Sequence, residues 1–337
     1  MPQVVVIGAG ISGLATAWWL HKSGCDVLVL EKDAHVGGTM RTIHENGWLI
    51  ETGPNSALET TPLFQTLFED LVITDELIYA NEASNKRYIL RDDILHPLPM
   101  SPGPFLRSKL WSLSGKLRLL KEPFVGRADK EETVAEFVVR RLGREFLDYA
   151  ISPFVAGVFA GDPERLSVQA AFPKLYALEK NYGGLIKGQI LGASERKKRA
   201  EKAKDRARMF SFKNGMQTLP DSIAKALGAS IRTNVSVVRI DGSKSSNGTS
   251  NSYEIHGTEN GRVFGITCNS VILAIPSFHA AGLIEPFDVS VAQCLKKICY
   301  PPVAELFLGF RRQDVGRPLD GFGFLVPAKE QRKILGT

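Results

Sequence analysis

The apolar residues near the start of the chain follow two different spacings. Val4 to Ile7 is a continuous apolar run, the sequence GAGISG and an apolar helical stretch follow it, and a second run, Val27 to Leu30, ends at Glu31. Short continuous apolar runs on either side of a helix are typical of parallel strands buried on both faces. The pattern predicts a strand–helix–strand unit over residues 4 to 31.

The spacing changes twice further along the chain. Between residues 62 and 191 it is mostly helical, which predicts helices at Leu63–Phe68, Leu113–Lys121, Val134–Leu142 and Phe146–Ala156. Within this region, two short runs predict a hairpin that turns at Asp92 and Asp93. After Phe210 the pattern predicts a helix at 219–227, a strand at 230–240, a polar hairpin tip at 243–252, and strands at 253–256, 265–267 and 270–276. The chain therefore makes a helical excursion and returns to a strand-rich region.

The glycine-rich turn indicates a chemical function for the first unit. Gly8, Gly10 and Gly13 form a GxGxxG sequence between a strand and a helix, and Glu31 ends the next strand 18 positions after Gly13. In this dinucleotide-binding pattern the glycines permit a tight turn, close approach of a pyrophosphate, and close helix–strand packing. The helix N-terminus attracts phosphates. The Glu31 carboxylate accepts ribose hydroxyls and repels a 2′-phosphate, which argues against NADP.

A second glycine pair distinguishes FAD from NAD. Gly37 and Gly38 open the sequence GGTMR, which ends at Arg41 just past the ribose-binding acid. This element resembles the flavin amine oxidase superfamily, in which the glycine pair and the arginine pass along the FAD pyrophosphate. Glycine permits close backbone approach, and the delocalised guanidinium suits a diphosphate. The predicted cofactor is FAD.

Composition fits a large globular enzyme. The chain has 337 residues, of which 44% are hydrophobic and 23% charged, so two intertwined domains are expected. No apolar run is long enough to span a bilayer, and the first strand begins too early to leave room for a cleavable targeting peptide. Four cysteines without paired metal spacing suit a reducing compartment. We expect a cytoplasmic protein without a metal site.

Most of the net charge of +6 lies in one segment. Residues 195–208 read ERKKRAEKAKDRAR, with eight basic and three acidic residues. The simplest interpretation is an exposed, solvated helix. The alternative is contact with anionic lipid headgroups, which would place the protein peripherally on the cytoplasmic membrane. Nucleic acid is not an expected partner, because no aromatic residues alternate with the charges to stack on bases.

Longer strings narrow the family. The strings SPFVAGVFAGDPERLS, FKNGMQTLP, VILAIPSFHAA, YPPVAELFLGF and PLDGFGFLVPAKEQRKILGT follow GAGISGL, GGTMRT, ETGPNS and NKRYIL in the chain. Together they resemble the oxygen-dependent protoporphyrinogen oxidases, including their coproporphyrinogen-oxidising relatives, over residues 1 to 337. The resemblance implies a C-terminal segment beyond the position of Thr337, which returns to the FAD domain and supplies a further flavin-contacting turn.

The resemblance also implies two sets of binding residues. The set for FAD comprises Gly8, Ala9, Gly10, Ile11, Ser12, Gly13, Glu31, Lys32, Gly38, Thr39, Arg41, Gly53, Pro54, Asn55, Ser56 and Val237. For the porphyrinogen, Arg87 in NKRY is implied as the anchor of a propionate at the edge of an apolar pocket. Phe322, Gly323, Phe324 and Leu325 are implied as macrocycle contacts. The simpler interpretations are a surface charge for Arg87 and a core strand for residues 322–325.

The fold class that follows is α/β with mixed α+β character. We expect a discontinuous Rossmann-type FAD-binding domain at residues 1–60 and 210–280. A helical substrate or membrane domain is expected at 61–209, and the beginning of a mixed β-sheet substrate domain at 281–337. The latter two assignments follow from the resemblance.

The predicted chemistry belongs to the cofactor. No nucleophile–base pair or carboxylate dyad is evident in the sequence, so hydrolysis has no support and no catalytic residue is assigned. The resemblance implies oxidation of protoporphyrinogen IX to protoporphyrin IX in haem biosynthesis, by three hydride transfers to flavin N5. Oxygen is the expected acceptor and hydrogen peroxide the product. The alternatives are coproporphyrinogen III as substrate, another flavin oxidase or carotenoid-type desaturase, and a non-catalytic binding protein; a homodimer is a candidate assembly.

Overall fold

The structure is a computed structural model that describes residues 2–84, 86–192, 207–244 and 251–337. The chain divides into two compact units, each assembled from separate stretches of sequence. The first unit comprises Met1–Tyr79, Lys202–Tyr300 and Glu305–Gly309, and the second comprises Ala80–Glu201, Pro301–Ala304 and Phe310–Thr337. Of the basic segment 195–208, only Ala207 and Arg208 are among the described residues, so the prediction of an exposed helix there lies outside them.

The regular elements of the described chain fall in successive blocks that belong to the first unit, the second, the first again and finally the second. The helices are α1 (Ile11–Lys22), α2 (Leu63–Asp70), α3 (Pro102–Arg107), α4 (Leu113–Leu119), α5 (Val134–Arg141), α6 (Arg144–Phe146), α7 (Ser152–Phe159), α8 (Val168–Ala171), α9 (Pro173–Tyr182), α10 (Leu185–Leu191), α11 (Thr218–Leu227), α12 (Ser277–Ile284) and α13 (Val289–Lys296). The strands are β1 (Val4–Ile7), β2 (Val27–Leu30), β3 (Thr42–Glu45), β4 (Trp48–Glu51), β5 (Ala57–Leu58), β6 (Leu77–Tyr79), β7 (Lys86–Arg91), β8 (Ile94–Pro97), β9 (Met209–Phe212), β10 (Ile231–Arg232), β11 (Val235–Lys244), β12 (Asn251–Glu259), β13 (Arg262–Cys268), β14 (Ser270–Leu273) and β15 (Gly321–Leu325).

A parallel sheet in the order β10-β2-β1-β14 forms the centre of the first unit. Strand β1 pairs in register with β2 on one side and with β14 on the other. Val6 and Val29 are fully buried, as the continuous apolar runs predicted. Helix α1 connects β1 to β2, and Leu14 of this helix shares a core with Phe68 of α2 and Ile223 of α11. The predicted strand–helix–strand unit is confirmed.

Alternation over residues 230–240 predicted one continuous strand, and this prediction is wrong. The chain forms two strands, β10 and β11, separated by Thr233 and Asn234, and Asn234 adopts a φ of +56°. A left-handed residue interrupts strand geometry, and asparagine tolerates this conformation better than most residues. As a result, β10 extends the parallel sheet, whereas β11 begins an antiparallel sheet in the order β11-β12-β13.

The second unit contains a mixed sheet in the order β15-β7-β8, together with helices α3 to α10. Strands β7 and β8 are antiparallel with Arg91 opposite Ile94. Their loop therefore consists of Asp92 and Asp93, which have φ values of +52° and +60°. Two positive φ values are typical of the type I′ turn of two-residue hairpins. The hairpin prediction is confirmed.

The helix predicted at Phe146–Ala156 is interrupted. Helix α6 ends at Phe146, Leu147–Ile151 form a π-helical turn, and α7 begins at Ser152. The inward-facing residues nevertheless reach the same core, because Leu147 and Val155 both pack in the cluster that contains Phe137. The apolar spacing therefore identified the buried side chains correctly and missed the change in backbone winding.

A buried network of charges connects three helices of the second unit. Arg141 of α5 is fully buried and donates to Glu122 at 3.1 Å and to Glu179 of α9 at 2.8 Å. Glu122 also accepts from the N–H groups of Leu185 at 2.7 Å and Ile186 at 3.1 Å, at the start of α10. Buried charges are tolerated only when they are paired and hydrogen-bonded. The network therefore fixes α5, α9 and α10 relative to one another.

The proposed functional domains stay a prediction, but the compact units do not follow their boundaries. Residues 61–79 lie in the first unit with the parallel sheet. Within residues 281–337, all of which are described, Gly321–Leu325 is the one strand, and it pairs with β7 of the second unit.

Candidate functional site

The glycine-rich turn lies at the carboxyl ends of the parallel strands. The N–H of Gly8, which follows β1, donates to the carbonyl of Leu30 at the end of β2 at 2.8 Å. Gly10 is the N-cap of α1, and no side chain among the described residues caps this helix. The first-turn N–H groups and the partial positive charge of the helix are therefore available to an anion. Nucleotides bind at this edge of open parallel sheets.

Two glycines of this turn have different steric roles. A Cβ at Gly13 would lie 2.0 Å from the carbonyl oxygen of Gly8 and 3.1 Å from the Cβ of Ala274. Glycine is therefore required at position 13 for α1 to pack on the sheet. A Cβ at Gly10 would meet no described atom within 4 Å. The open space at Gly10 lies where the dinucleotide-binding pattern places a pyrophosphate.

Glu31 lies at the end of β2 and is only 7% exposed. One of its carboxylate oxygens accepts the N–H of Ala9 at 2.6 Å, and the other accepts the N–H of Asp33 at 3.0 Å. Each oxygen retains acceptor capacity for a further donor. The carboxylate can therefore accept ribose hydroxyls while it orients the glycine-rich turn through Ala9. The adjacent Lys32 is exposed.

The GGTMR loop lies against the first turn. The N–H of Gly37 donates to the carbonyl of Ala9 at 2.8 Å, and a Cβ at Gly38 would lie 3.3 Å from the Cα of Gly10. Thr39 and Arg41 of the same loop are exposed. In the part of the chain that the structure describes, the Arg41 guanidinium has no acidic partner. A free guanidinium in this loop suits a diphosphate.

Residues Gly53–Ser56 pack on the GGTMR loop. A Cβ at Gly53 would lie 1.9 Å from the carbonyl oxygen of Thr39. The neighbouring Thr52 N–H donates to the carbonyl of Arg41 at 2.9 Å. Pro54 and Asn55 are exposed, and the Ser56 hydroxyl donates to Oδ1 of Asn55 at 2.9 Å. Two segments that the sequence analysis treated separately therefore form one loop cluster.

Val237 belongs to a strand that begins beside Glu31. The N–H of Val235 donates to the carbonyl of Glu31 at 2.8 Å. Val237 is half-buried in the core that contains Val235 and Ile240, and the strand bulges just after it. This position is close in the chain to the contact with the ribose-binding acid, so it is compatible with the predicted adenine contact.

These observations test whether the residues fit FAD. Among the described residues, the helix N-terminus has no cap, Gly10 faces open space and Arg41 has no acidic partner, and these features suit a pyrophosphate. A buried carboxylate with remaining acceptor capacity suits a ribose. The predicted cofactor residues come from five segments, and each segment is linked by hydrogen bonds or close packing to the carboxyl edge of one parallel sheet. The residues fit FAD.

The predicted substrate residues form a second group, in the second unit. Strand β15 pairs with β7 in parallel, with Gly323 opposite Arg87, Phe324 opposite Tyr88 and Leu325 opposite Ile89. The register shifts between Gly321 and Gly323, so Phe322 occupies a bulge and is 54% exposed. The structure therefore brings the NKRY and DGFGFL strings together in one sheet.

The two faces of this sheet separate the predicted substrate residues. Side chains alternate along a strand, so Arg87 shares a face with Gly323 and Leu325, whereas Phe324 shares the opposite face with Tyr88. Leu325 packs closely on α7, because a Cβ at Gly157 would lie 2.6 Å from its Cδ2. The resemblance treated residues 322–325 as one contact string, but Leu325 and Phe324 cannot both face a ligand beside Arg87.

Arg87 has no acidic partner within the described ranges, and its side chain is exposed. Its carbonyl accepts the N–H of Leu98 at 2.7 Å, which fixes its backbone in the hairpin. Arg91, four positions further along the strand and on the same face, instead donates to Glu145 at 2.8 Å. Arg87 therefore carries the charge on this strand that is available to a ligand carboxylate.

The second unit exposes a group of large apolar side chains that was not predicted from the sequence. We call it the leucine surface; its members are Leu106, Leu113, Leu117, Leu120 and Phe124, and each is more than half exposed. Helical spacing predicts an amphipathic helix but does not say whether the apolar face meets the core or another medium. A signal was present, since residues 94–121 contain five basic residues and no acidic residue.

Comparison with known proteins identifies the class of enzyme. The family model described as flavin containing amine oxidoreductase matches residues 11–337. Protoporphyrinogen oxidase 2 of Arabidopsis thaliana is 34% identical over 99% of this chain and 70% of its own length. The coproporphyrinogen III oxidase of Bacillus subtilis is 30% identical over 96% of this chain and 70% of its own length. A solved structure from Exiguobacterium, described as a candidate protoporphyrinogen oxidase, has a TM-score of 0.72 at 20% identity, over 99% of this chain and 71% of its own.

The chain is a member of the flavin-containing amine oxidoreductases, and within them it belongs with the protoporphyrinogen and coproporphyrinogen oxidases. The predictions of an oxidoreductase, of FAD as its cofactor and of a mixed α/β fold are confirmed. No helix in the described parts of the chain is both long and apolar enough to cross a bilayer.

Proposed function

We propose that this protein oxidises protoporphyrinogen IX to protoporphyrin IX in haem biosynthesis, with oxygen as the final acceptor. The substrate loses six hydrogen atoms in three two-electron steps, and three oxygen molecules become three molecules of hydrogen peroxide. One observation carries the proposal beyond the family: the NKRYIL and PLDGFGFLVP strings, which hold the implied substrate residues, pair as adjacent strands, with Arg87 directly beside Gly323.

Arg87 is proposed as the anchor of a substrate propionate. A porphyrinogen is an apolar macrocycle with carboxylates on one edge, and a guanidinium binds a carboxylate through two parallel hydrogen bonds. The exposed Arg87 has no competing acidic partner among the described residues. On the same sheet face, Ile89 and Leu325 pack in the core of the second unit, so Arg87 lies where this face reaches solvent.

Bound FAD supplies the two-electron acceptor for hydride removal from the macrocycle. The chain contributes cofactor binding through Gly8–Gly13, Glu31 and Arg41, and substrate orientation through Arg87. We assign no side chain as a general base, because the NH groups of the substrate can release their protons to solvent. In this proposal the side chains bind and orient the cofactor and the substrate, and the flavin carries out the chemical step.

Coproporphyrinogen III is the second candidate substrate. The similarity to the coproporphyrinogen III oxidase of Bacillus subtilis, at 30% identity over 96% of this chain, supports it as the alternative. The two substrates share the macrocycle and differ in the number of carboxylates, four against two. An anchor at Arg87 serves either of them.

The test is oxidation of chemically reduced porphyrinogens by the purified, FAD-loaded protein. We expect the fluorescence of protoporphyrin to appear with three oxygen molecules consumed per porphyrin, and hydrogen peroxide to accumulate. A higher kcat/KM for coproporphyrinogen III would replace the first substrate by the second. Turnover of a polyene or an amine without turnover of either porphyrinogen would contradict the proposal.

We also propose a peripheral contact with an anionic membrane through the leucine surface and the basic segment 195–208. Exposed leucines can insert among lipid chains, and each basic residue near anionic headgroups contributes about 1 kcal/mol. The absence of acidic residues between 94 and 121 supports this partner, because nothing in that stretch repels the headgroups.

A further inference from the structure

A ring of four hydrogen bonds joins the end of the GGTMR loop to the turn before α11. The N–H of Thr42 donates to Oε1 of Gln217 at 3.0 Å, and the N–H of Gln217 donates to Oγ1 of Thr42 at 3.1 Å. The Thr42 hydroxyl donates to Glu51 at 2.8 Å, and the other oxygen of that carboxylate accepts the N–H of Met216 at 2.8 Å. The ring connects residues that are 175 positions apart in the sequence.

The ring is tightly packed against Gly215, where there is no space for a side chain. Gly215 has a φ of +89°, and a Cβ there would lie 2.3 Å from Cγ2 of Thr42 and 2.7 Å from Oε1 of Glu51. Met216 is fully buried. Two consecutive backbone N–H groups, those of Met216 and Gln217, therefore hold Glu51 and Thr42 at fixed positions. The ring is a rigid link between two distant segments of the first unit.

This link controls the backbone that carries Arg41. The carbonyl of Arg41 accepts from the N–H of Thr52 at 2.9 Å and from its hydroxyl at 3.2 Å. The peptide that follows Arg41 ends in the Thr42 N–H, which is bound to Gln217. The Arg41 side chain has no acidic partner in the described residues. Both polar groups of the peptide that follows Arg41 are therefore bound, and this peptide fixes the backbone from which the side chain extends.

We propose that Gln217 is a positioning residue for the FAD pyrophosphate, which it serves by holding the Thr42 peptide so that Arg41 faces the diphosphate. The inference rests on the FAD site proposed above. Glutamine suits this role, because its amide oxygen accepts the Thr42 N–H and carries no net charge. A glutamate at position 217 would add a second carboxylate to the ring that already contains Glu51, beside an anionic ligand.

The test is titration of FAD-free protein with FAD, followed by the quenching of flavin fluorescence. Gln217→Met keeps the length of the side chain and removes the amide, and we expect it to weaken FAD binding about tenfold, the scale of one lost hydrogen bond to a buried group. Thr42→Val should weaken binding to a similar extent, whereas Thr42→Ser, which retains the hydroxyl, should bind FAD as the wild type does. The pair at position 42 keeps the test valid if Gln217→Met does not fold.

A coupling measurement separates positioning from a general loss of structure. Arg41→Gln should weaken FAD binding by itself, and Gln217→Met should add nothing in that background, because both act on the same contact. The FAD-free Gln217→Met protein should still unfold in one cooperative transition, with only the small fall in unfolding temperature that one missing hydrogen bond produces. Equal FAD affinity in wild type, Gln217→Met and Thr42→Val would overturn the inference, as would fully additive effects with Arg41→Gln. A wild-type chain that binds no FAD would instead overturn the flavin site itself.

Discussion

Arg87 and Gly323 are direct neighbours on adjacent parallel strands of the second unit. Gly323 adopts a φ of +155°, and a Cβ there would lie 2.0 Å from the carbonyl oxygen of Thr337. Glycine is therefore required at position 323 because Thr337 packs directly against strand β15 there. The Arg87 side chain, in contrast, is not explained by any contact within the described residues, so it is the better candidate for a functional role.

If Arg87 anchors a propionate, its removal should raise KM with a smaller effect on kcat. The contact is the same in the ground and transition states, because it is remote from the carbon that loses hydride. Arg87→Ala should cost roughly tenfold to a hundredfold in kcat/KM, the scale of a charge-assisted hydrogen bond. Arg87→Lys should recover only part, since lysine lacks the planar fork. Steady-state kinetics with protoporphyrinogen would measure both.

The control for this prediction is a porphyrinogen with esterified propionates. Wild type and Arg87→Ala should oxidise the ester at similar rates, because the charged contact is absent from both reactions. An unchanged KM of the alanine variant for the free acid would show that Arg87 is a surface charge.

The glycine-rich turn allows a matched pair of substitutions. Gly10→Ala places a methyl group in open space, so the FAD-free protein should keep its unfolding temperature while FAD binding weakens. Gly13→Ala places the same methyl group 2.0 Å from the Gly8 carbonyl oxygen, so it should destabilise the protein by about 1–3 kcal/mol whether or not FAD is present. Thermal unfolding and FAD titration of both variants would test this pair. Equal loss of stability in the two variants would contradict the steric difference between the positions.

Membrane contact predicts two separable effects in a vesicle flotation assay. Replacing Leu117 and Leu120 by serine should reduce binding at all salt concentrations, because it removes inserted apolar area. Replacing Lys197, Lys198 and Arg199 by glutamine should reduce binding to anionic vesicles mainly at low salt. Equal binding of the wild type to neutral and anionic vesicles would be inconsistent with an electrostatic contribution.

The buried charge network predicts an acid-sensitive stability. Burial raises the pKa of the Glu179 carboxyl, but hydrogen bonds from Arg141 and Arg140 lower it by more than burial raises it. The folded-state pKa therefore lies below its usual value. A lowered pKa stabilises the fold above the unfolded value near 4.5, and this contribution is lost as the pH falls through the folded value. Urea unfolding would measure this: between pH 7 and pH 4, the free energy of unfolding should fall less in Glu179→Gln than in the wild type.

Removal of the central arginine of this network should be severe. Arg141→Met leaves the buried Glu122 carboxylate without its cation and removes one of the two arginines that pair with Glu179, so it should cost about 3–5 kcal/mol at pH 7. Arg144→Gln is the matched control, because that side chain is 68% exposed and pairs with Asp148 on the surface; it should cost at most about 1 kcal/mol. Similar losses in the two variants would show that burial does not determine the effect.

Local features of this chain were predictable from sequence, and long-range ones were not. The hairpin turn at Asp92–Asp93 and the strand-to-helix turn at Gly8–Gly13 depend on backbone preferences of a few adjacent residues. The break at Asn234 was missed, because one left-handed residue leaves the apolar alternation intact. The Thr42–Gln217 ring has no local signature, since each residue is an ordinary polar residue until the fold brings them together. Side-chain alternation separated Phe324 from Arg87 only after the pairing of β15 with β7 was known.

The order of strands in the parallel sheet has a consequence for biosynthesis. Strands β1 and β2 are made within the first thirty residues, but both of their outer neighbours, β10 and β14, are made after residue 230. At a translation rate of about 5–20 residues per second, the nascent chain exposes two open hydrogen-bonding edges for roughly ten to fifty seconds. Strand β11, whose first residue Val235 hydrogen-bonds the carbonyl of Glu31, is also absent during this interval. Capture of FAD is therefore expected to follow emergence of residues 231–273 from the ribosome, and chaperones that shield strand edges should matter most before that point.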